Sequence, residues 1–540
     1  MSAPATSITC NRLTFAWPDG TSVLDGFGLA VGPGRTGLIG VNGTGKSTLL
    51  KLIAGELTPQ EGSVRVAGEV GYLPQDLTLD TRLRVDEALG VAGTRSALHA
   101  IEAGDAREVH FTAVGDDWDV EERARATLDQ LGLAHITLDR TIGEVSGGES
   151  VLLRLATLLL ARPDVLLLDE PTNNLDLRAR RRLYEAVASW NGVLVVVSHD
   201  RELLDLVDRI ADLRDGEVRW YGGNLSAYEE AVATEQEAAE RMVRVAEGDL
   251  RRQKRELAEA HNKLAKRVSY GNKQYADKRE PRAVMKLRKR AAQESAGKHR
   301  IMHEQRMEEA RGRVDEAASA VREDDEIRVD LPFTAVPPGR QVLTAREVEL
   351  RYGARAHLDL HGPERVALTG RNGAGKSTLL RTVAGQIPPE GGELSTHVPL
   401  RYLPQRLDLL DESLTLAQNV ARMAPRATDN RIRAQLARFL FKGARADQVV
   451  GTLSGGERFR ATLAAVMLAE PAPQLMMLDE PTNNLDMASV RQLTAALLAY
   501  EGALIVAGHD VPFLRSLEPT RWLRLDGGLA EVGPEEPWEG

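Results

Sequence analysis

Two hydrophobic patterns divide this chain, and they predict different architectures. The first is short and unbroken. "DVLLLDE" at 164–170 has too few polar positions for an exposed element and reads as a buried parallel strand ending in two carboxylates, Asp169 and Glu170. The apolar stretches "RTGLIG" and "RVALTG" each run into a glycine-rich turn, and the helical patterns "STLLKLIAGEL" and "STLLRTVAGQI" follow. Strand, loop and helix in that order predict α/β domains. The second pattern fills the middle of the chain. Ser226 followed by Glu229 is a capping box and predicts a helix start. Val243, Ala246, Leu250, Leu257, Ala260 and Leu264 then fall on a heptad seam, and Met307, Ala310, Val314, Ala317 and Val321 repeat that spacing on the return. Between them "KRVSYGNKQYADKREPRAVMKLRKR" holds Gly271 and Pro281 and no extended apolar stripe. The reading is an antiparallel helical hairpin with arms of about 40 residues, roughly 60 Å long at ~1.5 Å per residue. The predicted layout is an α/β domain at 1–225, a hairpin at 226–328 with its tip at about 265–285, and a second α/β domain at 329–540.

The two α/β regions are copies. "LDEPTNNLD" at 168–176 returns letter for letter at 478–486. "GVNGTGKST" at 40–48 matches "GRNGAGKST" at 370–378, and "YLPQ" ending at Gln75 matches "YLPQ" ending at Gln405, both at an offset of 330. "VSGGES" at 145–150 matches "LSGGER" at 453–458, and His199 matches His509, at offsets of 308 and 310. The first copy carries about 22 extra residues between its glutamine and its SGG motif.

Composition narrows the class. A hydrophobic share of 42% and a charged share of 27% read as globular. Cys10 is the one cysteine, which excludes a disulfide framework and a Cys-ligated zinc site and fits a cytoplasmic setting. The start "MSAPATSITCNRLTF" has no signal-peptide pattern, and no apolar run approaches the roughly 18 residues of a membrane span. A net charge of −10 argues against nonspecific nucleic-acid binding by the whole molecule. The average conceals residues 251–300, where eight Lys and nine Arg face five acidic groups, a local charge of +12. A charge run is ordinarily a solvated helix face with interspersed Glu, as at 228–259 and 304–326. The tip lacks that balance, so a polyanionic partner is expected, with Tyr270, Tyr275 and Met285 placed among the cations. Such tyrosines can stack on unpaired bases.

The glycine motifs fit G-x-x-x-x-G-K-[ST], the P-loop, in its strand–loop–helix context. Gly40, Asn42, Gly43 and Gly45 in one copy, and Gly370, Asn372, Gly373 and Gly375 in the other, let backbone N–H groups converge on phosphate oxygens at a helix N-terminus. Lys46 and Lys376 would hold the β- and γ-phosphates of ATP, with Thr48 and Thr378 beside them. Ser47 and Ser377 would ligate Mg²⁺, joined by Asp169 and Asp479 and by Gln75 and Gln405. Glu170 and Glu480 would act as general bases on the attacking water.

P-loop, glutamine, SGG motif, acid pair and histidine in this order resemble an ATP-binding-cassette ATPase, and the doubled "LDEPTNNLD" is similar to the subfamily F form. The resemblance spans nearly the whole chain. It implies two P-loop ATPase domains in tandem, closing head to tail within one monomer, each nucleotide lying between one P-loop and the other copy's SGG motif. The first site would combine Lys46, Ser47, Gln75, Asp169, Glu170 and His199 with Ser454, Gly455 and Gly456. The second would combine Lys376, Ser377, Gln405, Asp479, Glu480 and His509 with Ser146, Gly147 and Gly148. The histidines would sense the γ-phosphate, and Asp176 and Asp486 would lie in loops through which the sites communicate. Trp17 and Tyr352 are the candidates for stacking on adenine, with Phe15 a rival for the first. Two departures stand out: Ser150 follows SGGE where a larger polar or basic residue is usual, and Gly508 replaces the serine before His509.

Function divides three ways. A transporter ATPase would leave the basic hairpin idle. A coiled-coil chromosome or repair ATPase splits one motif set across its coil, whereas each side here is complete, and repair ATPases with zinc modules need cysteines. The remaining class is a ribosome-binding regulator, whose hairpin, by resemblance, enters the tRNA exit site and contacts rRNA and the P-site tRNA. A housekeeping translation factor and an antibiotic-resistance ribosome-protection factor both fit. The small first-copy surplus, the ending "EVGPEEPWEG" without a basic coiled coil, and the excess of arginine over lysine favour protection.

Overall fold

Unbroken aliphatic runs become the centres of two similar sheets. The strands of the first copy are β1 Ser7–Ala16, β2 Ser22–Val31, β3 Gly34–Ile39, β4 Glu61–Ala67, β5 Val70–Leu73, β6 Val165–Asp169, β7 Val193–Val197, β8 Arg209–Arg214 and β9 Glu217–Gly222. Those of the second are β10 Gln341–Glu349, β11 Arg355–His361, β12 Arg365–Thr369, β13 Gly391–Thr396, β14 Leu400–Leu403, β15 Leu475–Asp479, β16 Ala503–Ala507, β17 Arg521–Asp526 and β18 Gly528–Val532. The computed structural model of the chain describes residues 7–75, 80–173, 175–214, 216–276, 302, 305–318, 333–405, 409–453, 455–483 and 485–534. They form two units, Met1–Leu225 with Asp325–Gly540, and Ser226–Asp324.

In the first unit, β6 and β7 are buried at every position, as are β15 and β16. A strand covered on both faces has no polar side to show, which is why these segments do not alternate. The first copy orders its main sheet β5-β6-β7-β3-β8-β9, with β9 antiparallel and the others parallel, beside an antiparallel sheet β2-β1-β4. The second copy repeats both orders, fused into one nine-stranded sheet because Arg355 of β11 pairs with Gly528 of β18. In each copy the P-loop strand and the acid-pair strand flank one central strand, β7 or β16. Both therefore deliver their loops to the same carboxyl edge, where parallel sheets collect ligands.

The second unit contains a helix of 52 residues, Leu225–Ala276, about 78 Å at ~1.5 Å per residue. It starts one residue before Ser226, so Ser226 lies in the first turn and not ahead of it. It also runs through Gly271, placing the first half of the expected tip within the helix. One glycine costs about 1 kcal/mol in a helix, too little to end one this long. Val243, Ala246, Leu250 and Leu257 are half-buried, as are Met307 and Val314 on the returning helical segment 305–318, while Ala310 and Ala317 are buried. Arg313 donates to Asp249 at 2.6 Å and ties the segments together. The side chains of Ala260, Leu264, Tyr270 and Tyr275, and all of Pro281, Met285 and Val321, lie outside the described residues. Among the described residues no helix is long and apolar enough to cross a membrane.

Candidate active sites

Each P-loop turns into its helix through a glycine that must adopt positive φ: Gly45 at 91° before Lys46–Ile53, and Gly375 at 100° before Lys376–Val383. Lys46 Nζ donates to the carbonyls of Gly40 at 2.7 Å and Val41 at 3.2 Å, and Lys376 to those of Gly370 at 2.8 Å and Arg371 at 3.4 Å. Burial lowers both lysine pKa values, against the pull of Glu170, Asp486 and Asp169 on one and of Glu480, Asp479 and Asp176 on the other. Two buried ammonium groups among carboxylates suit bound phosphate.

Opposite the lysines stand the two glutamates at nearly identical left-handed φ, 47° for Glu170 and 48° for Glu480. A non-glycine residue there carries about 1–3 kcal/mol of strain and persists only where the surroundings impose it. The neighbouring strand does so: Glu170 N–H donates to Val197 O at 2.8 Å, and Glu480 N–H to Ala507 O at 2.9 Å. Burial raises Glu170 to about 8 and Glu480 to about 7, more than the nearby lysines lower them. Carboxylates poised near neutrality are suited to take and release a proton. His199 Nε2 lies 3.2 Å from Glu170 Oε1, and His509 Nε2 lies 3.3 Å from Glu480 Oε1 and 2.8 Å from Lys376 Nζ. Burial lowers both imidazoles, to about 3 and about 2, so they are neutral, and each leaves a buried Nδ1 without a protein partner.

The other acid of each pair faces the P-loop serine and the tyrosine of "YLPQ". Asp169 accepts from Ser47 Oγ at 3.1 Å and from Tyr72 OH at 3.4 Å; Asp479 Oδ2 accepts from Tyr402 OH at 2.9 Å. Asp479 Oδ1 is buried with no hydrogen-bond partner. That orphaned oxygen, together with the Ser377 hydroxyl and the Gln405 amide that line one cavity, makes an all-oxygen set of the kind Mg²⁺ takes. Among the described residues no group of three or more His, Cys, Asp or Glu could hold a metal ion. The tyrosines were absent from the expected site, although their place in a repeated motif marks them.

Two cavities, about 420 and about 400 Å³, are lined by the P-loops, the glutamates and the histidines. The first is lined by Trp17, Asn42, Gly43, Gly45, Lys46, Ser47, Thr48, Gln75, Glu170 and His199, and by Gly455 from the second copy. The copies also meet where Asn42 N–H donates to Asp486 Oδ2 at 2.9 Å. Asp486 additionally caps helix Met487–Leu498 through Ser489 N–H at 2.8 Å, and Asp176 caps Leu177–Ala188 through Ala179 N–H at 3.0 Å. The last letter of each "LDEPTNNLD" is therefore an N-cap. Phe15 is buried in the core, edge-on to Trp17 at 5.2 Å, and it is Trp17 that reaches the cavity.

The second cavity is lined by Tyr352, Asn372, Gly373, Gly375, Lys376, Ser377, Thr378, Gln405, Glu480 and His509, and from the first copy by Leu175 and Arg180. Ser146, Gly147 and Gly148 are not on its wall. Ser146 instead accepts from Glu149 N–H at 3.4 Å and donates to Glu149 Oε2 at 2.6 Å, capping its own helix. Ser150 donates back to Ser146 O at 3.0 Å. Gly456 packs on Ser489, where a Cβ would stand 2.7 Å from its Oγ, and Ser454 lies outside the described residues.

The family model described as "ABC transporter" matches residues 24–173 and 354–483. The chain is 33% identical to the probable ATP-binding protein YheS of Escherichia coli over 96% of its length and 78% of that protein's. It is 34% identical to the tylosin resistance ATP-binding protein TlrC of Streptomyces fradiae, over 94% and 95% respectively. It is 31% identical to the energy-dependent translational throttle protein EttA of Escherichia coli, over 94% and 90%. The solved structure of RNase-L Inhibitor shares the fold with a TM-score of 0.55 at 18% identity, covering 98% of this chain and 91% of that one.

Proposed function

The chain belongs to the ATP-binding-cassette ATPases, as an ABC-F type protein with two cassettes that hydrolyse ATP, and from that premise we propose that it binds the ribosome and protects it from antibiotics. The observation that carries this reading is its likeness to a tylosin resistance protein along nearly the whole of both chains. The basic segment 251–300 supports it, because rRNA and tRNA are the polyanions that such a charge concentration suits.

In this reading ATP closes the cassettes and its hydrolysis releases them. P-loop N–H groups and Lys46 or Lys376 hold the phosphates, and Trp17 and Tyr352 stack on adenine. Ser47, Gln75 and Asp169, or Ser377, Gln405 and Asp479, would hold Mg²⁺, which would supply charge neutralisation on the phosphates. Glu170 and Glu480 take the proton of the attacking water, and His199 and His509 sense the γ-phosphate. Ser454, Gly455 and Gly456 close the first site, and Ser146, Gly147 and Gly148 approach the second as the cassettes tighten. The hairpin, about 78 Å on its longer described helix, is long enough to reach into the ribosome from its surface.

The test is expression in a susceptible bacterium with inhibitory concentrations measured across peptidyl-transferase and exit-tunnel drugs. Protection against several of them, lost on deletion of residues 265–285 while ATPase activity remains, is the expected result. The likeness to EttA favours one second reading, a translational throttle. If no inhibitory concentration moves while a hydrolysis-deficient chain still blocks translation, that reading replaces protection.

A further inference from the structure

We propose that Arg180 is a positioning residue delivered by the first cassette into the second nucleotide site, and that the first site has no such group. This rests on the reading above of Lys376, Glu480 and His509 as an ATP site.

The two helices after "LDEPTNNLD" place Arg180 and Val490 at the same point. Arg180 N–H donates to Asp176 O at 2.9 Å, and Val490 N–H donates to Asp486 O at 2.9 Å. Their side chains then diverge. Val490 packs against the hydrophobic core of its own cassette and is absent from the wall of the first cavity. Arg180 lines the second cavity with Lys376, Glu480 and His509. Its side chain is 12% exposed, and it is held by residues of its own cassette. Nη1 donates to Asp200 Oδ2 at 3.2 Å and Nε to Leu175 O at 3.2 Å. Asp200 in turn accepts from Tyr184 OH at 2.7 Å and from Leu203 N–H at 3.1 Å. The position of Tyr184 is taken in the second cassette by Thr494, whose hydroxyl bonds back to Val490 O at 2.9 Å. Among the described residues Arg180 Nη2 donates to no protein atom.

A rigid guanidinium with one arm fixed by a carboxylate and another free beside a phosphate-binding lysine is arranged to act on negative charge. The Glu480 carboxylate faces it, on the cavity read above as the phosphate site. Lys376, Asp479 and His509 surround Glu480 from its own cassette, and Arg180 is the cation that reaches it from the other. Asp200 and Tyr184 face Arg180 from the first cassette, and Asp510 and Glu480 from the second. Arg180 and Glu480 line the same cavity from opposite cassettes. Among the described residues no arginine lines the first cavity. Because Arg180 moves with the first cassette, it acts on Glu480 in proportion to how closely the cassettes approach, which couples closure to chemistry at one site.

The experiment uses two full-length chains with one working site each. E170Q leaves the second site active, and E480Q leaves the first. R180V, which copies the first site's arrangement, should reduce ATP turnover in the E170Q chain by about tenfold or more, the scale of losing one charged group at a reacting centre. In the E480Q chain it should change turnover by less than about twofold. R180K should restore part of the loss. Equal losses in both chains, or a loss without rescue by lysine, would mean that Arg180 only holds the interface together. Continued hydrolysis by E170Q/E480Q would refute the glutamate assignment itself, and with it this proposal.

Discussion

The two cassettes carry the same nine letters and build the same strained turn, yet they are not interchangeable. Glu170 and Glu480 share a φ within a degree, their neighbouring histidines approach them at 3.2 and 3.3 Å, and Asp169 and Asp479 each accept from the tyrosine of "YLPQ". The copies part where each faces the other. Gly455 reaches the first cavity, whereas Leu175 and Arg180 reach the second. Phosphate chemistry tolerates few alternatives, so both copies keep its groups. An interface between two copies has no such restriction, and there they have diverged.

The largest effect tests what the copies share. E170Q/E480Q should keep ATP binding and slow hydrolysis by about 10²–10⁴-fold, the usual contribution of a positioned base. Steady-state ATPase assays with nucleotide binding measured alongside check this. Either single variant should retain measurable turnover. A double variant hydrolysing at the original rate would remove both glutamates from the mechanism.

A smaller effect concerns stability. Both glutamates titrate above the ordinary value of 4.5, at about 8 and about 7, because burial penalises their charged form. The folded chain therefore holds these protons more tightly than the unfolded one. The stability they contribute is present below about pH 4.5 and is lost as pH rises through 7 to 8. Without nucleotide, E170Q/E480Q should melt a few degrees above the unmodified chain at pH 8.5, and the gap should close as pH falls towards 5. A gap that does not vary with pH would mean that ionisation of these groups is not its source.

The smallest concerns a difference between the copies. Ser198 is buried and accepts from Asp200 N–H at 3.1 Å, and Gly508 stands in its place before His509. A Cβ at Gly508 would meet nothing closer than Glu480 Oε2 at 3.8 Å, so space does not forbid a serine. G508S should raise stability by about 0.5 kcal/mol through lower unfolded-state entropy and a gained hydrogen bond. A loss of more than about 1 kcal/mol, read from the melting temperature, would show that the glycine serves a packing need.

The sequence by itself determined the cassettes' chemistry. A P-loop, an acid pair at the end of an aliphatic strand and a following histidine are local signatures, because each strand fixes its terminal side chains at the carboxyl edge of a parallel sheet. Duplication made them unmistakable. The hairpin seam was legible for the same reason, since heptad spacing maps directly onto one helix face; its start and its passage through Gly271 were less so, because a single residue's preference yields to the helix around it. Tertiary structure alone decided what crosses between the copies. Nothing in the string "LDLRARRRLY" says that Arg180 turns outward to the other cassette while Val490 turns inward. That choice depends on Asp200, Tyr184 and Leu175 standing where they can hold a guanidinium, and their meeting is a property of the packed domain rather than of any local spacing.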